Sequence, residues 1–212
     1  MRESAVLHRV KQGYTTGARS LASRSIIGLT RTRVTPNALT TAGVSLCLAA
    51  AVLVYFEYRN EILFYWVGAV VFVVGSILDI LDGALARAGG KATPFGSFLD
   101  STTDRVGEGA MLGAIALIFS RHGNEVALGA AVAAVAGSFL VSYTRAKAEA
   151  LGLRGDVGLG SRAERVVVIT AGLVLAPWGV LPWAIYLLTA TAWLTVVQRI
   201  LFVRKQLAER TP

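Results

Sequence analysis

Four aspartates, at positions 79, 82, 100 and 104, fall within the stretch LDILDGALARAGGKATPFGSFLDSTTD, residues 78–104. Asp79 and Asp82 stand three apart and Asp100 and Asp104 four apart, so on helices each pair projects from one face. An ionised Asp costs about 2.5–3.5 kcal/mol at a bilayer centre and less near the interface, and mutual repulsion adds to this unless cations neutralise the group. Divalent metal chemistry is the economical reading. Hard oxygen ligands without His or Cys close by favour magnesium, manganese or calcium over zinc, and two ions would balance four charges. Gly83 and Ala86 share the face of the first pair, and Gly96 lies one turn before Asp100; such small residues leave room for a bulky ligand or for close helix packing.

A second set of chemistry-bearing residues follows in SYTRAKAEALGLRGDVGLGSRAERVV, which holds Ser142, Arg145, Arg162 and Arg165, with Arg199 joining from VVQRI. Arg145, Arg165 and Arg199 fall where three predicted helices end on one side, an arrangement that suits an anion such as a phosphate. Topology-setting positive charge accounts for the same residues, except that Arg199 precedes four apolar residues and so lies deeper than an orientation signal requires. An arginine pocket would repel a cationic alcohol such as choline or ethanolamine.

These residues need helices to position them. The 212-residue chain is 54% hydrophobic and reads as one all-α integral membrane domain, with spans near 38–56, 62–86, 97–119, 125–147, 164–178 and 181–203. Of its 21 basic residues, all but Arg59 and Arg121 fall on one side of that topology, which places both termini in the cytoplasm. Span two then runs inward, so that Asp79 and Asp82 lie within about 12 Å of its end at 1.5 Å per residue. AGGK ends that helix and Thr93-Pro94 starts the next, which runs outward with Asp100 and Asp104 in its first turns. All four carboxylates reach similar depth on the cytoplasmic side.

Residues 1–34 carry seven arginines or lysines among apolar residues at roughly helical spacing and read as an N-terminal interfacial amphipathic helix preceding the six-helix domain, 35–212. They lack the early apolar run of a cleaved leader. Thr35-Pro36-Asn37 supplies a cap and a first-position proline for span one, with Asn37 and Thr40 facing the cytoplasmic end. Cys47 is the sole cysteine, which excludes an intrachain disulfide and a cysteine-based metal site. Trp178 and Trp183 read as interface anchors.

Taken as a pattern, Asp79-x2-Asp82-Gly83-x2-Ala86-Arg87-x8-Gly96-x3-Asp100-x3-Asp104 resembles the signature of the CDP-alcohol phosphotransferases at every fixed position. The resemblance implies a six-helix homodimer in the cytoplasmic (inner) membrane, with a cytoplasm-facing site that moves a phosphatidyl-type group from a CDP-lipid to an alcohol and releases CMP. By the same resemblance Asp79, Asp82, Asp100 and Asp104 hold two divalent ions, Mg2+ or Mn2+, and Asp104 is also the general base. Asn37, Thr40, Asp79, Asp82, Gly83, Ala86, Arg87 and Gly96 are then the CDP-lipid-binding set; Arg87 also suits a helix C-terminus for electrostatic reasons alone.

The second cluster resembles the phosphatidylinositol-phosphate synthases of actinobacteria and their archaeal relatives, in which residues matching Ser142, Arg145, Arg165 and Arg199 bind the acceptor phosphate. Position 145 is Arg where the actinobacterial pattern commonly has Lys. The donor implied is CDP-diacylglycerol or a related CDP-lipid, and the acceptor is inositol 1-phosphate or another phosphorylated alcohol. No nucleic-acid partner is expected. Within the class the alternative is phosphatidylglycerol-phosphate synthesis from glycerol 3-phosphate. Outside it, a cation carrier also uses intramembrane carboxylates, but places them near the midplane rather than crowding one side.

Overall fold

Local chemistry sets each helix start. In a computed structural model, which describes residues 35–158 and 161–210, Thr35 caps α1 (Pro36–Tyr55) by accepting from the Ala38 amide at 3.2 Å, with Pro36 at the first helical position. Asn60 caps α2 (Glu61–Ala88), Thr93 caps α3 (Pro94–Arg121) and Asn124 caps α4 (Glu125–Ala150), each accepting from the amide three residues on. Ser161 and Glu164 form a reciprocal capping box at α5 (Arg162–Val174), and Pro182 lies in the first turn of α6 (Leu181–Ala208). Short 3-10 turns at Phe56–Arg59 and Ala176–Trp178 complete the regular structure, and no strand occurs among the described residues.

The helices close into a ring. α1 packs on α2 and α3, α3 on α4, α4 on α6, α6 on α5, and α5 back on α2. The two aspartate-bearing helices, α2 and α3, scarcely touch each other, because both lean on α1. That contact is close at α2: a Cβ on Gly75 would stand 2.8 Å from the Gly43 carbonyl oxygen, and one on Gly43 would stand 2.9 Å from the Gly75 carbonyl oxygen. Backbone meets backbone there, which only glycine permits.

Below the aspartates, toward the opposite end of the helices, Phe72, Met111, Ile115, Ile169, Ile185 and Leu188 belong to one continuous buried cluster. The far end is tied by buried Glu57, which takes Arg121 at 2.8 Å and lies 3.3 Å from His122, while the Arg121 guanidinium sits 4.5 Å from the ring centres of Tyr55 and Tyr58. The helices are therefore held firmly away from the site and left apart where the carboxylates lie.

Outward faces are apolar as well: Val70, Val74, Ile77 and Ile80 of α2 and Leu194, Val197, Ile200 and Leu201 of α6 are exposed. Helices that are apolar on both faces belong in a bilayer. α1 with its following turn, α2, α4 and α6 are each long and apolar enough to cross one. α3 carries Asp100, Asp104, Arg105 and Glu108 within one nine-residue stretch, and α5 has 13 residues, about 20 Å at 1.5 Å each, so these two of the six expected spans do not meet that measure by length and composition alone. The expected interfacial helix over 1–34 lies outside the described residues.

Candidate active site

Asp79 and Asp82 occupy the last three turns of α2, and Asp100 and Asp104 the second and third turns of α3, at the same end of the ring. Asp79, Asp82 and Asp100 each offer an oxygen within 4.8 Å of the others. Asp79 and Asp82 are 6% and 2% exposed, far more buried than surface carboxylates. Oδ2 of Asp82 accepts from the Thr40 hydroxyl of α1, whereas its buried Oδ1 has no hydrogen-bond partner. A buried carboxylate oxygen without a donor calls for a cation. The donor set and that orphaned oxygen both fit a hard divalent ion.

Asp104 stands slightly apart from this triad. Arg162, the first residue of α5, reaches between the two helices and pairs with Asp79 and, at 2.8 Å, with Asp104. The sequence offered Arg162 only as one positive charge among several; its place between two aspartates is a product of the ring that brings α5 against α2.

A cavity lies on each side of the carboxylates. The first, about 210 Å³, is lined by Asn37, Thr40, Asp82, Gly83, Ala86, Arg87, Gly96 and Asp100, with Lys91, Thr93 and Ser97 at its walls. Except for Asp79, the whole expected CDP-lipid set borders this one space. The small residues make room in a definite way: a Cβ on Gly83 would stand 3.3 Å from the Arg87 guanidinium, and one on Gly96 would stand 3.1 Å from the Thr93 hydroxyl and 3.5 Å from the Asn37 side-chain oxygen, Oδ1.

The second cavity, about 250 Å³, is bordered by Ser142, Arg145, Arg165 and Arg199, the whole expected acceptor set, together with Asp104, Glu108, Asp156 and Arg162. Asp104 alone of the four aspartates reaches it. Arg165, on the first turn of α5, is fixed by a bidentate pair with Glu108 of α3, 2.7 and 2.9 Å long and buried on both sides. Arg199 donates to the carbonyls of Val141 and Val157, and its buried Nε has no hydrogen-bond partner. Arg145 sits at the rim, paired at 2.9 Å with exposed Glu149 one turn on. Asp156 pairs with Arg154, whose hydrogen bonds hold the Asp156 carboxyl below the usual carboxylate range.

The segment bearing Asp156 is held in place by α6 and the residues just after it. Gln206 exchanges hydrogen bonds with the backbone of Arg154 at 3.0 and 2.8 Å, Arg210 donates to the Gly152 carbonyl at 2.8 Å, and Arg199 holds the Val157 carbonyl. Gly158 has φ +119, and a Cβ there would lie 2.3 Å from the Thr195 side chain, so the segment ends tight against α6. Glu108 and Asp156, like Arg162, went unassigned in the sequence. Glu108 had a signal, since it continues the four-residue spacing of Asp100 and Asp104.

Paired aspartates on α2 and α3, small residues beside them and a cavity on either flank describe a site for transfer between two ligands. The family profile described as CDP-alcohol phosphatidyltransferase matches residues 33–201, and the chain belongs to that family. Among its relatives, the archaetidylinositol phosphate synthase of Pyrococcus horikoshii is 35% identical over 205 residues, 96% of this chain and 97% of that protein. The phosphatidylinositol phosphate synthase of Streptomyces avermitilis is 36% identical over 192 residues, 85% of this chain and 77% of that protein. The phosphatidylinositol phosphate synthase of Mycobacterium tuberculosis, in a crystal structure with CDP-DAG bound, superposes with a TM-score of 0.77 at 30% identity, covering 87% of this chain and 94% of that one. A second structure of that enzyme, in complex with manganese and citrate, gives 0.76 at 32% identity, covering 86% and 88%.

Proposed function

We propose that this chain transfers the phosphatidyl-type group of CDP-diacylglycerol or a related CDP-lipid to inositol 1-phosphate, giving phosphatidylinositol phosphate and CMP. The observation that carries the reading is the pair of cavities meeting at one row of aspartates: Asp82 and Asp100 border the first, and Asp104 the second. The relatives named as inositol-phosphate lipid synthases, and the CDP-DAG and manganese complexes of one of them, support the same reading.

Asp79, Asp82 and Asp100 would hold one divalent ion, Mg2+ or Mn2+, and Asp104 would share a second with them. Such ions, when bound, neutralise the phosphoryl oxygens and the departing CMP. The chain's own groups do the rest. Thr40 orients the Asp82 carboxylate, and the space beside Gly83, Ala86 and Gly96 takes the cytidine nucleotide, with Asn37 and Arg87 on its walls. Arg165, Arg199 and Arg145 take the acceptor's phosphate, with Ser142 beside them. Asp104, at the border of that space, receives the proton of the attacking hydroxyl. Asp156 faces the same space and accepts from the acceptor's other hydroxyls, which suits a polyol.

The same proposal gives the chain six spans, an interfacial helix over 1–34 ahead of the membrane domain 35–212, a cytoplasmic site and cytoplasmic termini, and a homodimer in the inner membrane. The biased distribution of basic residues supports the orientation.

Purified protein given CDP-diacylglycerol and Mg2+ should release CMP with inositol 1-phosphate and not with glycerol 3-phosphate, free inositol or serine; Asp104→Asn and chelator should abolish it. Release with glycerol 3-phosphate alone would overturn the acceptor, and no release with any of the four would overturn the activity.

A further inference from the structure

We propose that Arg162 is a resident cation of the metal site, which a divalent ion must displace from Asp79 and Asp104 and which then serves the neighbouring cavity as a ligand for the acceptor's phosphate. The inference rests on the reading of the carboxylates as a metal site and of that cavity as the acceptor's.

Its basis is geometric. One guanidinium nitrogen, Nη1, contacts both Asp79 of α2 and Asp104 of α3, helices that scarcely touch each other directly. Asp79 is also a member of the carboxylate triad, so the guanidinium and a divalent ion draw on the same carboxylate. Two cations cannot share that carboxylate without repulsion, and a charge leaving such a neighbourhood shifts cation affinity strongly.

Location in α5 makes the same point. Arg162 is the first residue of that helix, at the positive end of its dipole, where a cation is disfavoured. The two carboxylates offset that placement, and once a metal ion engages them an anion must. The acceptor cavity supplies the destination: Arg162 already borders it, beside Arg165, Arg145 and Arg199. Arg162 also borders an apolar groove with Ile77 and Val166, a surface against which a long side chain can rest its methylenes while its charged head changes partner. Metal binding and phosphate binding are thereby linked through one side chain, and linkage is reciprocal.

The test measures Mn2+ affinity of the purified full chain by electron paramagnetic resonance, with no substrate present. Arg162→Gln should bind Mn2+ at least about tenfold more tightly than the unaltered protein, the scale of effect a single neighbouring charge has on a carboxylate. Arg162→Met, which keeps the stem, should do the same and guards against a poorly folded Gln variant. Arg105→Gln removes a nearby charge that does not bridge the carboxylates and should change the affinity much less. With saturating Mn2+, inorganic phosphate should bind the Arg162 variants more weakly than the unaltered chain.

Unchanged or weaker Mn2+ binding in both Arg162 variants overturns the proposal, and so does equal tightening in the Arg105 variant, which would make the effect a general field. Failure of the unaltered protein to bind Mn2+, or full binding by Asp82→Asn, would instead overturn the metal site itself.

Discussion

Glu108 and Arg165 form the most enclosed ion pair of the site, and the bidentate geometry fixes the guanidinium plane that faces the cavity proposed for the acceptor. Breaking a buried pair by altering one partner costs about 3–5 kcal/mol, because the remaining charge loses its counter-ion in a poorly solvated place. Glu108→Gln is therefore expected to lower the thermal stability of the detergent-solubilised protein and to raise the KM for inositol 1-phosphate while the KM for the CDP-lipid stays put. An unchanged acceptor KM would show that Glu108 does not position Arg165. The aspartates were legible in the sequence because their spacing is local and helical. Glu108 continues that spacing, but its partner lies 57 residues away on another helix, and no local pattern reports such a pairing. Arg162 was legible as charge and illegible as a bridge for the same reason.

Helix ends were equally local. Thr35-Pro36 and Thr93-Pro94 start α1 and α3 as their chemistry predicts, and the N-terminus of α4 falls at residue 125 as the apolar run suggests. The order of helices around the ring was not, since it depends on which faces meet. Gly43 and Gly75 decide one such meeting, and it sets the position of Thr40 against Asp82. Gly75→Val should force α1 and α2 apart at a cost of about 1–3 kcal/mol, the usual scale of overpacking, and should cut turnover sharply by displacing Asn37 and Thr40. Gly113 of α3, where an added Cβ meets nothing within 4 Å, is the control, and Gly113→Ala should keep both stability and activity. CMP release and thermal unfolding of the two variants check this; equal behaviour would remove the role given to the α1–α2 contact.

Across the whole molecule, charge and packing are divided between the two ends. Buried apolar side chains and the Glu57–Arg121 tie hold one end together, while at the other α2 and α3 stay separated around carboxylates and arginines. That division converts a bundle into a site with two entrances, and it was legible in outline: apolar runs and biased arginines indicated membrane helices with chemistry on one side. Two separate cavities were not, because each is assembled from at least three helices. The central claim is that one cavity takes the donor and the other the acceptor. It is tested most directly by steady-state kinetics of Arg199→Lys, which keeps the charge but not the planar fork. The KM for inositol 1-phosphate should rise about tenfold or more, the scale of a lost hydrogen bond to a charged group, with the KM for CDP-diacylglycerol unchanged. A rise in the donor's KM with the acceptor's unchanged would contradict it.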